Sequence, residues 1–144
     1  MDNKQGRIGY TTGVFDLFHI GHLNILRRAK EACDYLIVGV TSDELCYQRK
    51  NKFPVVRLED RMEIVRAIRY VDQVVVQRDM DKLRAVQEYG CNVVFVGSDW
   101  KGTPAWEQYE KQFGEIGVEV VYLPHTDGIS STELVKRCTE GAGK

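Results

Sequence analysis

The chain is short of proline, with three in 144 residues, and its 13 glycines form no repeat. That excludes a collagenous or low-complexity chain. No charge of one sign dominates: 20 Lys and Arg against 21 Asp and Glu leave a net charge of −1. A generic nucleic-acid binder is strongly basic, so that class loses ground. No apolar run approaches the ~18 residues of a membrane span. The start, Met1 to Gly6, is polar and carries no apolar signal-peptide core. The four cysteines, Cys33, Cys46, Cys91 and Cys138, form no CxxC pair and share no metal-knuckle spacing. Free thiols in the reducing cytoplasm are expected, rather than a disulfide framework or a zinc site.

What is present is ordinary globular material, 43% apolar and 28% charged, enough for one core. The length predicts a single domain over residues 1–144. Strand and helix patterns alternate along it. Strands are expected at 7–12, 35–40, 73–76, 92–96 and 118–123, with Tyr35 to Val40 a continuous apolar run suited to burial on both faces. Helices are expected at 20–33, 58–69, 81–89, 104–116 and 130–137, the tail after about 138 being Gly-rich and frayed. This order predicts an α/β fold, a Rossmann-like doubly wound parallel sheet of about five strands with helices on both faces. Such sheets bind ligands at the carboxyl ends of their strands. The loops considered there are 13–19, 41–57, 97–103 and 124–129.

The first of these loops, Gly13-Val14-Phe15-Asp16-Leu-Phe-His19-Ile-Gly21-His22, runs from a strand into a helix. A helix N-terminus offers unpaired N–H groups and a positive dipole end, which favour phosphate. His19 and His22, three residues apart, can face one ligand, and Gly21 allows a close approach of backbone. The spacing is neither a G-x-G-x-x-G fingerprint nor a P-loop. The segment resembles the HxGH signature of the α/β nucleotidyltransferases. The resemblance extends through Arg61–Val74, Gly97-Ser-Asp99-Trp100 and Thr126-Asp-Gly128-Ile-Ser130-Ser131-Thr132 to the cytidylyltransferase branch. The glycerol-3-phosphate cytidylyltransferases are the nearest group, and choline- and ethanolamine-phosphate cytidylyltransferases share the same elements.

The resemblance implies CTP and a small phosphorylated alcohol as substrates, and Mg²⁺ held mainly by the nucleotide phosphates, with Asp16 a candidate outer partner. It places His19, His22 and either Lys50 or Lys52 at the reacting phosphates, and Arg61, Arg69 and Trp100 toward the substrate. Gly13, Val14, Phe15, Asp16, Gly21, Asp99, His125, Thr126, Gly128, Ser130 and Ser131 would hold the nucleotide. No metal ligand is assigned on the chain. Residues 49–69 carry a local charge of +4 in the −1 chain. Two positions depart from the family: His125 stands for a usual arginine, and Val14 for a usual threonine. A homodimer meeting near Arg69 to Val74, in the cytoplasm, is also implied. The rival readings are an adenylyltransferase of the same fold using ATP, and a nucleotide-binding module without catalysis.

Overall fold

The computed structural model describes residues 6–142. The polar start Met1–Gln5, and Gly143 and Lys144 of the tail, lie outside the described residues. Five strands, β1 (Ile8–Gly13), β2 (Tyr35–Thr41), β3 (Gln73–Gln77), β4 (Val93–Gly97) and β5 (Glu119–Leu123), form one parallel sheet in the order β3-β2-β1-β4-β5. Among the described residues six α-helices accompany them, α1 (Ile20–Glu31), α2 (Asp43–Lys50), α3 (Leu58–Arg66), α4 (Lys82–Tyr89), α5 (Pro104–Glu115) and α6 (Ser131–Ala142), with a short 3-10 helix at Ser98–Trp100.

The sheet is covered on both faces, as the continuous apolar run of β2 requires. Alternate residues of each strand serve opposite cores. Leu36, Val38 and Val40 of β2 join Val93 and Phe95 of β4 under Leu26 and Ala29 of α1 and Val65 of α3. Tyr10, Ile37 and Val94 pack on the other side against Val86 of α4 and Trp106 and Phe113 of α5. The doubly wound arrangement expected from the sequence is therefore present.

The chain reverses winding direction between β1 and β4, the position where open α/β sheets form a ligand crevice. The ladder there is short. It pairs Gly9 with Val93 and Tyr10 with Val94, although the strands continue to Gly13 and Gly97. Beyond the ladder their carboxyl ends part.

Several elements differ from the sequence pattern: α1 and α3 end at Glu31 and Arg66, short of the expected 33 and 69, and a 3-10 helix, Ser98–Trp100, lies in the loop expected at 97–103. The loop expected at 41–57 contains α2, which starts where Ser42 Oγ accepts the Leu45 N–H (3.1 Å) and ends at Asn51 in the left-handed conformation. Its eight residues span barely two turns, too short for a clear apolar stripe. The last helix continues past Arg137 to Ala142.

Candidate active site

The two histidines build the start of α1 themselves. His19 is the residue before the helix, and its Nδ1 accepts the Gly21 N–H at 3.0 Å. His22 Nδ1 in turn accepts the His19 N–H at 3.2 Å. This is a capping box made of imidazoles in place of the usual hydroxyl and carboxylate. Their rings stack with centroids 3.9 Å apart. An Nδ1 that accepts carries no proton, so each neutral ring holds its proton on Nε2, where it can donate to a ligand. Burial lowers the His22 pKa to about 4, with the neighbouring His19 adding to the shift. Burial also lowers that of His19. At neutral pH both are uncharged donors.

Gly21 has a further role beyond the one its spacing suggested. A Cβ there would lie 2.8 Å from His19 Cε1 and 3.0 Å from its Nδ1. Glycine makes room for the capping ring.

A cavity of about 490 Å³ opens at the parted ends of β1 and β4. It brings together Gly13, Val14, Phe15, Asp16, His22, Lys50, Lys52, Trp100, Ser131 and Thr132. Both candidate lysines reach it, one from the last turn of α2 and one from the following loop. Ser131 Oγ donates to the Asp16 carbonyl (2.5 Å), and Ser130 Oγ caps α6 by accepting the Glu133 N–H (3.0 Å).

Other expected residues lie elsewhere. Arg61 does not line the cavity. It is 1% exposed, and its guanidinium binds the carbonyls of Val56 (2.7 Å), Val14 (2.8 Å) and Thr41 (2.7 Å) and the Asp43 carboxylate (2.5 Å). It braces the site from beneath. Arg69 follows α3 near the amino end of the sheet, with its guanidinium over the Tyr70 ring, and does not reach the cavity. Asp99 and His125 stand in the loops after β4 and β5, 3.7 Å apart and outside the cavity lining. Thr126 Oγ1 accepts from Asn24 Nδ2 (3.1 Å), which ties its loop to α1, and Gly128 takes a positive φ of 79° in the turn that follows.

Lys82, the first residue of α4, belongs to no motif visible in the sequence. It is 8% exposed and lines the cavity. Its Nζ donates to Thr12 Oγ1 (2.9 Å) and lies 5.7 Å from the centre of the Trp106 ring. Among the described residues no carboxylate pairs with it. Desolvation, aided by the positive charge of Arg49, lowers its pKa to about 8. The signal that could have found it is positional, since residues 78–81 form a strand-end loop like the others. No three His, Cys, Asp or Glu side chains gather as a metal cage among the described residues.

These features can hold a polyanion: the neutral donor His22, with His19 stacked behind it outside the cavity lining, three ammonium groups and two helix starts around one crevice. Residues 10–137 match the family model described as cytidylyltransferase-like. The glycerol-3-phosphate cytidylyltransferase of Bacillus spizizenii is 39% identical over 127 residues, covering 88% of this chain and 92% of that one. The FAD synthase of Pyrococcus abyssi is 36% identical over 132 residues, covering 89% of each. The lipopolysaccharide core biosynthesis protein of Thermoplasma volcanium shares the fold, with a TM-score of 0.71 at 24% identity over 85% of this chain and 98% of that one.

Proposed function

Because the chain belongs to the cytidylyltransferase-like family, we propose that it joins CTP to a phosphorylated small alcohol, glycerol 3-phosphate being favoured, and releases pyrophosphate. The carrying observation is the cavity that gathers His22, Lys50, Lys52 and Lys82 at the β1–β4 crevice. The acceptor is supported by the 39% identical Bacillus spizizenii relative.

The reaction forms a bond between an acceptor phosphate oxygen and the α-phosphorus of CTP, and breaks the bond from that phosphorus to the β-phosphate. A phosphate monoester has its second pKa near ~6, so the nucleophile is already anionic at pH 7 and no general base is needed. The difficulty is charge and alignment. His19 and His22, being neutral, donate Nε2–H bonds to phosphate oxygens, which strengthen as charge moves to the leaving pyrophosphate. Lys50 and Lys52 offset that charge, and the starts of α1 and α6 supply N–H donors. Lys82, a buried cation lacking a carboxylate, receives the acceptor's phosphate. Mg²⁺, which would be held mainly by the nucleotide phosphates rather than by side chains of the chain, would supply charge neutralisation when bound. The open edge of β3, beside Arg69 to Val74, is where a second copy would pair; light scattering should then give about twice the 16.5 kDa chain mass.

An adenylyltransferase using ATP is the second reading, favoured by the 36% identical FAD synthase. One experiment separates them: pyrophosphate release with Mg²⁺, crossing CTP, ATP, GTP and UTP with glycerol 3-phosphate, phosphocholine, phosphoethanolamine and FMN. Release with CTP and glycerol 3-phosphate alone supports the main reading. CTP with another acceptor keeps the reaction and changes the alcohol. ATP with FMN overturns it. Nucleotide binding without release from any pair favours a non-catalytic module.

A further inference from the structure

Three parts of the site meet at Asp16: the histidine loop, the lysine-bearing segment 51–57 and the start of α6. We propose that Asp16 is a positioning residue, whose carboxylate fixes segment 51–57 and thereby sets Lys52 at the cavity. This rests on the nucleotidyl-transfer reading above.

Both carboxylate oxygens are engaged by that segment. Oδ2 accepts the Val55 N–H at 2.8 Å, and Oδ1 accepts the Val56 N–H at 2.9 Å. A carboxylate bridging two successive amides is a charge-assisted, two-point attachment. The Val56 peptide is also gripped from its carbonyl side by Arg61 Nε (2.7 Å), and Arg61 Nη1 holds the Val14 carbonyl (2.8 Å). The Asp16 carbonyl is held by Ser131 at the start of α6 (2.5 Å). A closed ring of hydrogen bonds thus runs from Asp16 through Val56 and Arg61 back to the loop of Asp16.

The backbone around Asp16 is unusual in a consistent way. Phe15 and Leu17, on either side of it, both have positive φ, 54° and 50°. Non-glycine residues take this conformation at a cost, and they keep it where the surroundings over-determine it. Beyond this anchor and the Arg61 bond, segment 51–57 is held chiefly by Phe53, whose ring stacks on Tyr47 of α2 with centroids 4.6 Å apart. Asn51, Lys52, Phe53, Val55 and Arg57 are exposed, and the segment belongs to neither α2 nor α3. Lys52 lies three residues before the first anchored amide. Lys50 is placed differently, by the last turn of α2. The anchor should therefore govern Lys52 far more than Lys50.

The test compares the wild type with D16N, K52A, K50A and the doubles D16N/K52A and D16N/K50A. Asparagine keeps the size but offers one acceptor oxygen in place of two. In the substrate-free protein, D16N should speed exchange of the Val55 and Val56 amides about tenfold or more, leaving the β2 amides protected. Pyrophosphate release should fall about tenfold or more in D16N, and to a similar degree again in the K50A background. In the K52A background the further loss should be less than about twofold, because coupled residues are not additive. Unchanged exchange at the two amides would overturn the anchor. An undiminished D16N loss in K52A would overturn the route through Lys52 and put Asp16 on the nucleotide or its metal. Should D16N fail to fold, V55P, which removes one donor and leaves Asp16 in place, must show the same Lys52-dependent loss. If the wild type releases no pyrophosphate with any substrate pair, the functional reading fails, while the exchange measurement still decides the anchor.

Discussion

Protonation decides what each cavity side chain can do. His22 would be a cation only below about pH 4, so in the proposed reaction the histidine pair would serve by donating hydrogen bonds. Removing one such donor costs about 10²–10³ in turnover where it meets developing charge. His22→Ala and His19→Ala should each lower kcat by about two decades or more in a steady-state pyrophosphate assay. Near-normal turnover in both would end the mechanism. The same pKa has a sign for stability. The unfolded chain protonates His22 near its ordinary 6.5, while the folded chain resists until about 4. The contribution is therefore intact above about pH 6.5 and is lost as pH falls toward 4, a component that urea titration should find missing in His22→Gln. Burial shifts Lys82 in the same direction but leaves it charged at neutral pH. It is charged below about 8 and neutral above. Activity as kcat/KM should rise through about pH 6 as the acceptor gains its second charge, then fall above about 8. In Lys82→Met the alkaline limb should disappear and the acceptor KM should rise.

At the scale of elements, the start of α1 shows how one position can separate stability from activity. Alanine at Gly21 would gain about 1 kcal/mol of helix propensity. Its Cβ, 2.8 Å from His19 Cε1, would displace the ring and sacrifice a cap of about 1 kcal/mol. Gly21→Ala should thus melt close to the wild type yet lose turnover like His19→Ala, which paired melting and kinetic assays would reveal. The motif carrying this arrangement was legible in the sequence, because His19, Gly21 and His22 are adjacent in the chain. So were all five strands, of which β2 is buried on both faces while β3 and β5 are largely half-buried. What escaped was set by tertiary contacts. Helix α2 is short and polar, with only Leu45 and Cys46 buried. Lys82 becomes a cavity residue because α4 crosses from β3 to β4 and brings it to Thr12 on β1, 70 residues away in sequence. Arg61, which the resemblance places toward the substrate, is instead a brace, as its three carbonyl partners show.

For the whole molecule the question is where the positive charge goes. Residues 49–69 hold a +4 excess in a chain of net −1, yet little of it forms an open basic face. Arg61 is consumed internally with Asp43, Arg66 pairs with Glu63, and Arg57 lies near Glu59 and Asp60. Lys50 and Lys52 line the cavity, joined there by Lys82 from α4. A concave site concentrates its potential on a small ligand, whereas duplex DNA requires a long basic surface. A protein making 6–10 phosphate contacts loses about 10³–10⁵ in affinity between ~50 and ~200 mM salt. With three lysines and neutral donors, CTP binding should weaken by less than about tenfold over that range, because buried and partly buried charges are screened less. Generic duplex DNA should bind weakly at ~50 mM salt and not measurably at ~200 mM. Calorimetric titration of CTP with Mg²⁺, beside fluorescence anisotropy of a labelled duplex, reads both. A steep salt slope shared by CTP and DNA would mean that the basic stretch acts as a solvated face and that the cavity is not where phosphate is held.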